Sequence, residues 1–173
     1  KISTYIPLEL NEAEKALYKR LKKEILFEIA EGDINKMESP MTIQYTLVKM
    51  LRLRQLADSM ELLGEQTQSS KLNVLRELLA TAVVDNKKAI IFTQFSQMAD
   101  ILERELAEYA PLKISGSIKE EYRDVVAKFN ADDNHKILIM TSAGQFGLNI
   151  QRASIIFHYD QEWSLAKMQQ RTG

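Results

Sequence analysis

Residues 87–118, KKAIIFTQFSQMADILERELAEYAPLKISGSI, carry the pattern that decides the fold. Ala89-Ile90-Ile91-Phe92 is a short apolar run bounded by polar residues, the signature of a strand buried on both faces. Met98, Ile101, Leu102 and Leu106 then recur at helical spacing and share one helix face, with Ser96 placed to cap its start. Pro111 ends that helix, and Leu112-Lys113-Ile114 forms a second short strand. Strand and helix alternating at so short a spacing predict a parallel sheet covered by helices on both faces.

The same alternation extends toward the C-terminus. Residues 118–129 read as helix, and Ile137-Leu138-Ile139-Met140 and Ile155-Ile156-Phe157 as two more strands. A glycine-containing turn with a short helix separates those strands, and a last helix opens at Trp163. Toward the N-terminus the pattern is helical. Ala13, Ala16, Leu17, Leu21, Ile25, Leu26 and Ile29 recur at helical spacing, and Gly32-Asp33 breaks the run. A second helical run covers about 41–63 and stops near Gly64. Ser69-Ser70 are N-caps for a third, which turns Leu72, Leu75, Leu78 and Leu79 inward. The expected fold class is α/β, a parallel sheet flanked by helices, with an N-terminal helical segment over 1–68 and the sheet domain over 69–173.

Composition excludes more than it assigns. Of 173 residues, 45% are apolar and 27% charged, which suits one globular domain with a real core. Lys and Arg total 23 against 24 Asp and Glu, for a net charge of -1, so contact with nucleic acid has to come from local patches. With no cysteine there is neither a disulfide framework nor a thiolate metal site, in keeping with a reducing cytoplasm as the expected location. No apolar run approaches the roughly 20 residues a bilayer span needs, and Lys1-Ile2-Ser3-Thr4-Tyr5 lacks a signal-peptide core. The absent initiator Met and the stop at Gln170-Arg171-Thr172-Gly173 read as a fragment of a longer polypeptide.

Ligands of open parallel sheets bind at the carboxyl ends of the strands. Three segments fall there: Thr93-Gln94-Phe95, Ser115-Gly116-Ser117 and Thr141-Ser142-Ala143-Gly144. Each sets small hydroxyl or glycine residues where backbone N–H groups would be free for a phosphate. One such turn alone is an ordinary strand-to-helix connection, in which Ser, Thr and Gly are common; three on successive strands favour a ligand site without naming the ligand. No G-x-x-x-x-G-K-[ST] phosphate loop and no G-x-G-x-x-G fingerprint occurs. His135 and His158 have no partner at ligand spacing, so no metal site is expected. The Lys15, Lys19, Arg20, Lys22, Lys23 cluster is interleaved with Glu12, Glu14 and Glu24 and reads as a solvated helix face.

Lys88 to Phe95 resembles motif IV of the SWI/SNF-related ATPases of helicase superfamily two. Leu51-Arg52-Leu53-Arg54-Gln55 and Ser69-Ser70-Lys71-Leu72 look like that family's approach to its second lobe. LKISGSIKEEYRDVVAKFN, residues 112–130, is similar to its glycine-serine turn, helix and closing Phe-Asn. TSAGQFGLNIQ, residues 141–151, resembles motif V of bacterial members, although Gln145-Phe146 fills a slot usually held by smaller or acidic residues. ASIIFHYDQEWSLAKMQQRTG, residues 153–173, resembles the strand, the aspartate-x-x-tryptophan turn and the start of motif VI. The five segments span nearly the whole chain in family order.

The resemblance implies a second RecA-like lobe of an ATP-dependent double-stranded DNA translocase, monomeric as a fragment. It would close over ATP and Mg2+ held mainly by an N-terminal lobe of the same polypeptide. Gln94, Gly116, Ser117, Thr141 and Ser142 would face DNA phosphates, where hydroxyls and amides position without reading sequence. Gly144, Gly147 and Asn149 would shape motif V on the nucleotide side. Gln170 would face the nucleotide, and Arg171 would join it or brace motif VI through an ion pair. Asp160 and Trp163 would hold the turn into the last helix. The finger arginines expected beyond Gly173 are worth about three to five orders of magnitude in rate, so the fragment alone is expected to be inactive. A restriction-type or RNA helicase lobe, and a non-catalytic α/β interaction module, remain the competing readings.

Overall fold

The computed structural model describes residues 2–31, 40–65, 67–116, 119–141 and 149–161. Five helices occur among them: α1 (Glu12–Glu31), α2 (Pro40–Asp58), α3 (Ser70–Val84), α4 (Ser96–Glu105) and α5 (Lys119–Ala131). The strands are β1 (Lys88–Phe92), β2 (Leu112–Ile114), β3 (Ile137–Met140) and β4 (Ala153–His158). The chain forms two compact units, Lys1–Leu75 and Arg76–Gly173, with the division inside α3.

In the second unit all strand pairs are parallel, in the order β2-β3-β1-β4. β1 and β3 are buried along their whole length, as the continuous apolar runs predict for central strands. Successive side chains point to opposite faces, so one face receives Ile90, Phe92, Ile114, Leu138 and Met140. These pack with Tyr122, Val126 and Phe129 of α5 into one buried cluster. Ala89, Ile91, Ile137 and Ile139 alternate to the other face and are also buried. β4 alternates between half-buried and exposed residues, with Ile156 outward, as an outer strand does.

Lys88 departs from this apolar pattern. It is 3% exposed, and its ammonium donates to the carbonyls of Phe129 and Asp132 at the end of α5. It lies 5.0 Å from the centre of the Phe129 ring and 3.4 Å from the Asp133 carboxyl. The last carbonyls of a helix have no partner within it and carry its negative dipole end, so a lysine there satisfies both.

The first unit is held by a buried carboxyl that sequence spacing missed. Glu14, 1% exposed, and Asn11 form a reciprocal capping box: the Glu14 amide donates to Asn11 Oδ1 at 2.9 Å and the Asn11 amide to Glu14 Oε2 at 2.8 Å. The same carboxyl accepts from the amide and hydroxyl of Ser70 at 3.0 and 2.5 Å, and so caps α3 as well. Ala13 and Ala16, expected on the apolar stripe, are exposed, as is Leu26. Replacing Glu14 by Gln turns one acceptor into a donor facing donors, and is expected to cost about 1–2 kcal/mol. Thermal unfolding followed by circular dichroism measures this; a midpoint equal to that of the parent chain contradicts the double cap.

The expected helix over 41–63 is two elements. Ser59 is extended (φ -167°) and its hydroxyl accepts the Glu61 amide, which opens a separate 3-10 turn, Met60–Leu63; Gly64 closes it at φ +84°. Ser69 caps α3 as expected, accepting the Leu72 amide at 3.3 Å. Ser96 does not cap α4: Phe95 occupies that position without a side-chain bond. The breaks at Gly32-Asp33, the turn and short helix after Thr141, and the helix from Trp163 lie outside the described residues.

Candidate functional site

Register sets the carboxyl edge of the sheet. Ile114 pairs with Met140, Met140 with Phe92, and Phe92 with His158, so the strands end level. One residue further the ladder continues: the Thr141 amide donates to Ile114 O, Thr93 to Met140 O, and Tyr159 to Phe92 O, at 3.0, 3.0 and 2.9 Å. Thr141 and Thr93 therefore stand side by side, with Ser115-Gly116 beyond Thr141. Adjacent strands lie about 4.8 Å apart, so the edge is a compact row of polar positions.

At β1 the turn is built differently from expectation. Its amides are not free: Asp160 Oδ2 accepts the Gln94 amide and the Thr93 hydroxyl, each at 2.7 Å, and Thr93 Oγ1 accepts the Phe95 amide at 3.4 Å. The reason is an acidic side chain, Asp160, delivered by the neighbouring strand and buried at 3% exposure. This turn thus offers a ligand the Gln94 side chain rather than backbone donors. Gln94 Nε2 donates to Gln161 O at 2.7 Å on the surface.

Gly116, after β2, has φ +97°, and a Cβ there would meet nothing within 4 Å. Only backbone strain, not crowding, selects glycine at this position. The Tyr122 hydroxyl donates to Gly116 O, so α5 pins the turn. Thr141 is buried at the end of β3. Asn149 is exposed, and its carbonyl accepts from Asn130 Nδ2 at 3.0 Å, while Asn130 Oδ1 accepts the Arg152 amide at 3.4 Å. Arg152 continues the clip to Asp133 at 2.8 Å. That hydrogen bond, foremost, and the charge of Arg152 hold the Asp133 carboxyl below its ordinary range. Asn149 thus has a fixed backbone and an exposed amide side chain, which suits contact with a polar ligand.

The structure accordingly brings Gln94, Gly116 and Thr141 to one edge, with Asn149 on the segment that Asn130 clips. Ser117, Ser142, Gly144, Gly147, Gln170 and Arg171 lie outside the described residues, as does Trp163. Among the described residues no three His, Asp or Glu side chains gather to hold a metal, and no helix is long and apolar enough to cross a membrane. His158 stacks on Phe92 with ring centres 5.9 Å apart. Sequence reasoning missed the acceptor role of Asp160 toward β1, and a carboxyl one residue past an apolar strand is too common to have signalled it.

A four-stranded parallel sheet in the order β2-β3-β1-β4, flanked by helices, is the RecA-like fold of a helicase C-terminal lobe. The model of the helicase conserved C-terminal domain matches residues 70–173. YwqA of Bacillus subtilis, whose name describes an ATP-dependent helicase/translocase, is 31% identical over 97% of this chain. The ATP-dependent helicase FUN30 of Saccharomyces cerevisiae is 37% identical over 58% of it. The chain spans 19% of the first protein and 9% of the second. The Sulfolobus solfataricus SWI2/SNF2 ATPase core domain superposes with a TM-score of 0.81 at 25% identity, covering 99% of this chain and 36% of that one. The C-terminal domain of that ATPase gives 0.77 at 26% identity, over 94% of this chain and 73% of its own. The core in complex with dsDNA gives 0.79 at 24%, over 92% and 35%. This chain belongs to the helicase conserved C-terminal domain family, and the solved structures it resembles are SWI2/SNF2 ATPase cores.

Proposed function

We propose that this chain is the second lobe of an ATP-driven translocase on double-stranded DNA, reached through the helical segment 1–68. The observation that carries the reading is the level carboxyl edge, where the Gly116 turn, Thr141 and the Gln94 turn follow one another across three strands. Such a row suits one strand of a duplex, because phosphate contacts by hydroxyls and amides position a protein without reading bases. Gln94, Gly116, Ser117, Thr141 and Ser142 are assigned to that face. Gly144, Gly147, Asn149, Gln170 and Arg171 are assigned to the nucleotide side, against ATP with Mg2+ bound mainly by the N-terminal lobe of the same polypeptide. The dsDNA complex of the Sulfolobus ATPase core supports duplex DNA as the partner. ATP draws the lobes together, hydrolysis releases them, and each cycle moves this lobe along one strand. With no phosphate loop in its 173 residues, the chain alone, a monomer, turns over no ATP.

The test is ATP hydrolysis by the full-length polypeptide with duplex DNA, single-stranded DNA, RNA or no nucleic acid. Duplex DNA is expected to stimulate most, and Gln94→Ala to raise the half-saturating duplex concentration about tenfold, the loss of one good polar contact. Stimulation by RNA alone identifies an RNA helicase lobe instead. No hydrolysis under any condition identifies an interaction module.

A further inference from the structure

We propose that Asp160 is a positioning residue for the DNA contact at Gln94, an inference that rests on the DNA reading above. The backbone ladder fixes β1 and β4 only as far as the Tyr159 amide on Phe92 O. Beyond that step the turn into α4 is held by side chains. One oxygen of Asp160, Oδ2, takes both the Thr93 hydroxyl and the Gln94 amide at 2.7 Å. Thr93 is fully buried, so its hydroxyl is committed to this bond. The Gln94 side chain in turn donates to the carbonyl of Gln161, the residue after Asp160.

Two bonds accepted by Asp160 and one accepted by Gln161 therefore fasten the DNA-facing turn after β1 to the exit of β4. That exit leads in sequence toward Gln170 and Arg171, assigned to the nucleotide side. Asp160 touches neither DNA nor nucleotide in this account. It sets where the Gln94 backbone stands and hence where its amide side chain points. The other carboxyl oxygen, Oδ1, is buried with no hydrogen-bond partner among the described residues. The positioning role is thus confined to the oxygen that accepts from Thr93 and Gln94. An asparagine keeps that acceptor, because an amide oxygen also accepts two bonds.

The experiment titrates duplex DNA against ATP hydrolysis by the full-length polypeptide carrying Asp160→Ala, Asp160→Asn, Gln94→Ala and the Asp160→Ala/Gln94→Ala pair. Asp160→Ala is expected to raise the half-saturating duplex concentration about tenfold, more than it lowers the plateau rate. The double variant is expected to match Gln94→Ala alone, since both changes remove one contact. Asp160→Asn is expected to lie within twofold of the parent. Should Asp160→Ala fail to fold, Thr93→Val removes one of the two bonds at similar shape and is expected to shift half-saturation about threefold. Multiplicative effects in the double variant overturn the inference. So does an Asn variant as impaired as Ala, or a fall in plateau rate with half-saturation unchanged. Gln94→Ala without any shift instead overturns the DNA reading of that residue, and is told apart by the single variant alone.

Discussion

Phe129→Ala is expected to lower the unfolding free energy by about 3–5 kcal/mol, the range for emptying a large aromatic site in a packed core. Phe129 is fully buried and belongs to the cluster with Ile90, Phe92, Ile114, Tyr122, Val126, Leu138 and Met140. Four of those positions come from β1 and β3, the buried central strands, which have little freedom to collapse into the space left. The ring also faces the Lys88 ammonium, so truncation removes a cation–π contact along with the volume. At about 2–4 °C per kcal/mol for a chain of this length, the melting midpoint falls by roughly 6–20 °C. Urea unfolding followed by far-ultraviolet circular dichroism measures it; a loss below about 1 kcal/mol contradicts the packing described.

Lys88→Met is expected to be the second most damaging change, at about 2–4 kcal/mol. The methionine fills most of the apolar stem but withdraws the donor from the Phe129 and Asp132 carbonyls. Each buried acceptor left without a partner costs about 1–3 kcal/mol, moderated here because the end of α5 can admit water. The control separates the helix cap from the ion pair. Asp133 is 61% exposed, so its bridge to Lys88 is screened, and Asp133→Asn is expected to leave the midpoint nearly unchanged. Equal losses for the two variants in the same urea titration show that the ion pair, not the cap, holds this corner.

The sequence could be read where the information is periodic and local. The runs Ala89-Ile90-Ile91-Phe92 and Ile137-Leu138-Ile139-Met140 form central strands because a strand covered on both faces is apolar at every position. The stripe Met98, Ile101, Leu102 and Leu106 is buried as its helical spacing requires. Gly64 and Gly116 take the positive φ that ends one element and turns another. The α1 stripe misled, because exposed alanines share its spacing while the inward residue is Glu14. The edge positions Gln94, Gly116 and Thr141 could be nominated one by one from strand ends. Their standing in one row could not.

By itself, then, the sequence determined the α/β class, the places of the four strands, the absence of a phosphate loop and, through its motif segments, the family. Only the tertiary structure decided the strand order β2-β3-β1-β4 and the level carboxyl edge that follows from it. It alone assigned partners to the buried ionisable side chains Glu14, Lys88 and Asp160. Glu14 meets Ser70 across 56 residues, Lys88 meets Phe129 across 41, and Asp160 meets Thr93 across 67. Apolar burial repeats with the period of the helix or strand and so is written locally. A buried polar group is tolerable only when a particular distant donor or acceptor is brought to it, and folding, not spacing, supplies that partner.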